Sequence, residues 1–207
     1  PSTKVGVSYR SKIRHTLEGD LTVRGPAQGA SAALTSGSAK AFVELPDTFI
    51  LSVAQQLNDK WEMLGDVSWT GWSSIDKVDI VRTSGSLSGR TVQTLDTAFR
   101  DSWRYALGAN YRFSDTLKLK FGVAYDQTPV PDTAHRLVSL PDANRTWLTT
   151  GAQIKLDKAS TVDLGAAYIQ VSESHIDNRQ ASLGRGDVKG VYDARVWILG
   201  AQYSMAF

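Results

Sequence analysis

The chain has 207 residues and no cysteine, with 23 Lys+Arg against 21 Asp+Glu and a formal net charge of +2. That length suits one domain or one large piece of a bigger one. Zero cysteines exclude disulfides and thiolate metal sites, near-balanced charge argues against a nucleic acid partner, and no apolar run reaches the ~18 residues of a spanning helix.

A spanning β-barrel stays open, because alternating strands average to a bland mean hydropathy. The strand pattern starts almost at Pro1 with no leader before it, so upstream sequence is expected. Apolar residues recur at spacing 2, which a helix would smear around its circumference. From Lys4 to Val23, Val5, Val7, Tyr9, Ile13 and Leu17 share one face. A second run, about Phe42–Leu57, sets Phe49, Leu51 and Val53 against Ser52, Ala54 and Gln56. The third, Trp61–Arg82, begins with Trp61, Met63, Val67 and Trp69 against Glu62, Asp66, Ser68 and Thr70. Its alternation slips near Trp72–Asp76, where a bulge is expected. Phe99–Phe113 and Leu117–Asp126 alternate most cleanly, and runs at Arg145–Leu156, Thr161–Ser172 and Gly190–Phe207 follow. These make eight candidate strands.

The connections alternate too. Leu57–Lys60, Ser114–Thr116 and Asp157–Ser160 are short and rich in turn-forming Asp, Asn or Ser. The stretches Arg24–Lys40, Thr83–Thr97, Thr128–Asn144 and Glu173–Lys189 are long and polar. Short turns on one rim and long loops on the other are the pattern of an outer-membrane barrel with both termini on the periplasmic side. Aromatics fall into two bands on the apolar face. Trp61, Tyr111, Phe113, Tyr203 and Phe207 sit near the short-turn rim, and Trp69, Trp103, Tyr125 and Tyr168 toward the other. Amphipathic rings favour the headgroup level, so a bilayer selects such bands. Eight residues from Trp103 to Tyr111 cover roughly 20 Å at ~40° tilt, close to the apolar band of such barrels. The opposite face carries Arg10, Lys12, Arg14, Glu62, Asp66, Arg104, Arg112, Lys118, Lys120 and Asp126, too many charges for a packed core. A wet lumen removes that cost. The fold class expected is therefore all-β, an antiparallel up-and-down transmembrane β-barrel with about eight strands present.

The pieces VSYRS (Val7–Ser11), LPDT (Leu45–Thr48), WTGWSS (Trp69–Ser74), RDSWRYALGANYRFSDTLKLKFGVAYDQTPVP (Arg100–Pro131), LPDANRTWL (Leu140–Leu148) and KASTVDLGAAY (Lys158–Tyr168) together resemble the C-terminal half of the FadL/TodX family of outer-membrane hydrophobic compound transporters. The resemblance implies a fourteen-stranded barrel about twice this length, whose N-terminal hatch and first strands are absent from residues 1–207. It implies transport of hydrophobic compounds, long-chain fatty acids foremost, by capture at the outer loops and passage through the barrel. Outer-membrane lipid, lipopolysaccharide and the barrel-assembly machinery are the implied partners. Under that reading Phe42, Val43, Leu137 and Val138 are candidates for an apolar capture groove. Arg82, Arg100 and Arg104 are candidates to meet a carboxylate. The basic residue that some family members place before this strand has no counterpart in Gln93–Ala98. Phe207 and Tyr203 resemble the terminal aromatic signal that assembly machinery reads.

His15, His135 and His175 are scattered, with His15 expected on the lipid side, and give no metal spacing. No catalytic residue or cofactor is expected. The rival readings are a general diffusion porin with a polar open channel and a structural or adhesive barrel.

Overall fold

The alternation above is what closes the backbone ladder. In the computed structural model, which describes residues 2–183 and 186–206, the eight-stranded wall is entirely antiparallel. It contains β1 (Thr3–Arg10), β4 (Thr48–Gln56), β5 (Trp61–Thr70), β8 (Ser102–Arg112), β9 (Leu117–Asp126), β10 (Arg145–Lys155), β11 (Ser160–Val171) and β14 (Arg195–Met205), in that spatial order. The sheet is open, with β1 and β14 as its edges.

Four of the expected strands are longer in sequence than in space, Gly190–Phe207 among them, since it joins the end of a hairpin strand (Asp187–Tyr192) to β14. Lys4–Val23 divides into β1 and β2 (Ile13–Leu21), and Phe42–Leu57 into the end of β3 (Gly37–Leu45) and β4. Trp61–Arg82 divides into β5 and β6 (Lys77–Arg82) through a 3-10 turn at Trp72–Ser74, where a bulge was expected. With β7 (Thr91–Asp96), the strands β2, β3 and β6 form a separate four-stranded sheet in the order β2-β3-β6-β7. A third sheet pairs β12 (Ser174–Arg179) with β13 (Asp187–Tyr192). The long connections are thus themselves folded. His15 lies opposite Val43 on β2, in the four-stranded sheet and not in the wall sheet.

Register decides what each face carries. One row reads Tyr9, Phe49, Trp69, Trp103, and another Val5, Val53, Gly65, Leu107, Val123, Leu148, Tyr168, Trp197. The rows climb diagonally because the strands are staggered, so rings of different strands meet at two levels. Trp61 packs on Tyr111 at 4.5 Å between centroids near the short turns, and Tyr168 on Trp197 at 4.7 Å toward the long connections. Among the described residues of this face, the only charge is Arg195, at the long-connection end of β14.

Exposure separates the faces. Along β8, Trp103, Tyr105 and Leu107 are exposed while Arg104, Ala106 and Gly108 are half-buried. The apolar side is convex and the charged side concave, as a lipid-facing wall around a wet interior requires.

All three short turns use one device. The Asn58 side-chain oxygen accepts from the backbone N–H groups of Lys60 (2.9 Å) and Trp61 (3.0 Å). Ser114 Oγ accepts from Thr116 and Leu117, and Asp157 Oδ1 from Ala159 and Ser160. The N–H of Ala159, then that of Ser160, holds the Asp157 carboxyl below the usual carboxylate range. Asn58→Ala removes both side-chain acceptor bonds, and it should cost about 0.5–1.5 kcal/mol in urea unfolding of the lipid-inserted protein. Asn58→Asp, which keeps the acceptor, should restore most of it.

Candidate functional site

The concave face was expected to carry too many charges for a packed core. Its register shows layers. An ionic row crosses the wall as Ser68, Arg104, Asp126 and Arg145. Arg104 Nη1 lies 3.5 Å from Asp66 Oδ1, and Arg145 lies 3.0 Å from Asp126 and 3.5 Å from Asp142. Toward the short turns a second polar layer pairs Glu62 with Asn110 (2.7 Å) and Lys120 with Asp163 (2.8 Å), and Gln153 also donates to Asp163.

Between these layers run two rows almost free of charge. One reads Ser52, Asp66, Ala106, Ala124, Trp147, Ile169, Val196. The next reads Lys4, Ala54, Leu64, Gly108, Gly122, Thr149, Ala167, Ile198. From Leu64 to Ile198 the two rows form an apolar band, interrupted by Asp66 at the side where it meets Arg104. Small residues keep the band shallow on β8 and β9, and bulkier Trp147, Ile169 and Ile198 raise it further along. At Gly122 a Cβ would sit 2.7 Å from Thr149 Oγ1, so only glycine fits there without a shift. A cavity of about 500 Å³ lies against this band, lined among others by Leu64, Ala106, Gly108, Ala124 and Trp147, with Lys4, Asp66 and Arg104 on its margin.

The three predicted cations are not brought together. Arg104 points into the margin of that cavity and is already paired with Asp66. Arg100, just before β8, is exposed, forms no ion pair among the described residues, and donates its backbone N–H to Pro129 O. Arg82 ends β6 in the four-stranded sheet. It is only 3% exposed, and its guanidinium donates to Thr35 O at 2.8 Å and Thr35 Oγ1 at 3.3 Å. That geometry ties a loop to a strand and leaves no face toward the cavity. Trp147, Leu64, Ile169 and Ile198 were absent from the sequence reading. Their parity within their runs was the signal that could have found them.

Phe42 and Val43 lie on β3, where Lys40 Nζ sits 5.2 Å from the centre of the Phe42 ring, and they border a cavity of about 350 Å³. Glu44, between Arg14 (2.8 Å) and Lys12 (3.9 Å), is held below the usual carboxylate range, chiefly by the Arg14 hydrogen bond. Leu137 and Val138 belong to a different body, the 127–144 segment packed on β12–β13. Asp177 N donates there to Thr133 O, and Asn178 Nδ2 to Arg136 O. Tyr203 lies on the convex face of β14 and donates to Ser160 Oγ at 3.2 Å, while Phe207 lies outside the described residues. No His, Asp and Glu cluster among the described residues could hold a metal ion.

Comparison with known proteins fits this layout. The family model described as outer membrane protein transport protein (OMPP1/FadL/TodX) matches residues 1–207. A Neisseria meningitidis serogroup B protein, named by inference as an outer membrane protein, is 31% identical over 99% of this chain and 47% of its own length. The long-chain fatty acid transport protein of Escherichia coli K12 is 24% identical over 100% of this chain and 45% of its own. Among solved structures, a Pseudomonas aeruginosa FadL homologue superposes with a TM-score of 0.88 at 24% identity, covering 99% of this chain and 50% of that one. The chain therefore spans about half the length of the relatives it matches. Matched from end to end, with a wall whose convex face is apolar and belted by aromatic rings, the chain belongs to the OMPP1/FadL/TodX family and its wall strands are strands of an outer-membrane barrel.

Proposed function

We propose that this chain forms part of the wall of a transporter for hydrophobic compounds, long-chain fatty acids foremost, with the apolar band as the surface along which the apolar part of the ligand passes. The free edges β1 and β14 pair, in this reading, with strands of a larger barrel, because unpaired backbone edges are untenable in lipid. The observation that carries it is the band itself. A water-filled channel has no use for two apolar rows on its inner wall, whereas an acyl chain gains roughly 25 cal/mol for each Å² it buries there. The band thus counts against a general diffusion porin. Family relatives named as a long-chain fatty acid transport protein and a toluene transporter support the substrate class. Binding of a carboxylate by Arg104 requires exchange of its Asp66 partner, while Arg100 is free to take one at the long-connection end.

The test is uptake of radiolabelled oleate by cells whose own transporter is deleted and which express the full-length protein. Ala106→Trp fills the cavity beside the band. Uptake should fall at least about tenfold, the change that about 1.4 kcal/mol of steric penalty brings. The amount of folded protein in the outer membrane should be unchanged. Equal uptake by the variant would remove the band from the path.

A further inference from the structure

The cations of the concave face on β8 to β11 divide by height. Arg104, Arg145 and Lys120, in the upper and middle layers, each have a carboxylate within 3.5 Å. Arg112, Lys118 and Lys155, at the short-turn end, have none within ion-pair distance among the described residues. Arg112 and Lys118 are direct cross-strand partners, an arrangement of like charges that destabilises a sheet unless an anion lies between them. Lys155, which donates its backbone N–H to Thr116 O at 2.8 Å, brings the third charge to the same corner. All three border one cavity of about 210 Å³, together with Gln153 and the Ser114 and Thr116 hydroxyls. The carboxylates nearby do not neutralise it. Asp115 lines the cavity without pairing to any of the three cations, Asp163 is hydrogen-bonded by Lys120 and Gln153 and feels Lys118 only beyond ion-pair distance, and Asp157 is held by backbone N–H groups.

We infer that Arg112, Lys118 and Lys155 form a carboxylate-binding site at the periplasmic end of the lumen. The anion is either the head of an apolar acid leaving the apolar band or an acidic side chain from the rest of the barrel. The first source rests on the transport reading above and the second does not. A guanidinium with two ammonium groups at one corner is the chemistry that recognises a carboxylate. The site lies on the same concave face as the band, beyond the Lys120–Asp163 layer.

The experiment uses the full-length protein in a nonionic detergent. Lysine acetylation is read by mass spectrometry at Lys118 and Lys155, without ligand, with oleate, and with oleyl alcohol, which has the same chain and no carboxylate. In parallel, binding of both compounds is compared between wild type and an Arg112→Gln, Lys118→Gln, Lys155→Gln variant. Protection of both lysines by oleate alone, with oleate affinity about tenfold weaker in the variant and oleyl alcohol unchanged, assigns the site to the ligand. Lysines already protected without ligand, and exposed by high salt, assign it to a carboxylate of the protein. Lysines equally reactive in all conditions overturn the inference, whatever the protein transports. A wild type that binds neither compound overturns the transport reading, and the ligand-free footprint still decides the site.

Discussion

Leu107→Arg should cost the full-length barrel about 2–4 kcal/mol of stability in lipid vesicles, the penalty for an arginine on the lipid face near the bilayer midplane. Leu107 stands midway between Trp103 and Tyr111 on β8, with Gly65 and Val123 as its cross-strand partners. It is 64% exposed on the convex side, so the new guanidinium would meet acyl chains and no protein partner. Ala106→Arg, one residue away, is the control. It would place the same charge on the concave face, directly across from Asp66. Urea titration of refolded protein should show most of the penalty gone in that variant. Equal losses at the two positions would mean that the convex face is not the lipid face, and the membrane reading would fall with it.

A second large effect is expected outside the wall. Arg136 is 8% exposed, between the 127–144 segment and the β12–β13 hairpin. Its guanidinium donates to the backbone oxygens of Asp142 and His175, and Asn178 donates back to its own carbonyl. Val130, Ala143 and Ile176 are buried in the same body. Arg136→Ala leaves two carbonyls without donors and a void where the stem packed. We expect roughly 2–4 kcal/mol lost locally, since an orphaned buried polar group costs about 1–3 kcal/mol. Hydrogen exchange and limited proteolysis should show opening of 127–144 and β12–β13, with the wall strands as protected as before. Arg136→Lys should rescue only part, because an ammonium cannot span both acceptors with the planar fork. An unchanged exchange pattern would show that the loop body does not depend on this residue.

Much of the wall was legible because a membrane strand states its environment residue by residue. Trp103, Tyr105, Leu107, Ala109 and Tyr111 alternate with polar or small partners, and that parity fixes which side each occupies before any partner strand is known. The turn residues Asn58, Ser114 and Asp157 mark the short rim because their side chains do locally what the structure shows them doing. The six strands of the two outer sheets were legible only as loops or as overlong strands. Val5, Val7, Tyr9, Ile13 and Leu17 keep one parity across a break at Ser11 and Lys12, so the alternation could not reveal where the chain leaves the wall.

The site divides in the same way. Arg104 could be placed on the concave face by counting twos. That its charge is already met by Asp66 depends on β5 and β8 being neighbours in one register, which no local pattern encodes. Arg82 looked like a candidate for the same reason that it proved a tie to Thr35. A cation at a strand end reads alike whether its strand lies in the wall or in an outer sheet. The apolar band is the clearest case. Leu64, Ala106, Ala124, Trp147, Ile169 and Ile198 come from six different strands, and each alone is an ordinary apolar residue beside the apolar side chains of the opposite face. Sequence by itself determined the class of fold, the lipid-facing side and the two rims, because those follow from parity and turn chemistry within single segments. Only the tertiary structure decided which concave residues share a row, since rows are made by stagger between strands that lie far apart along the chain.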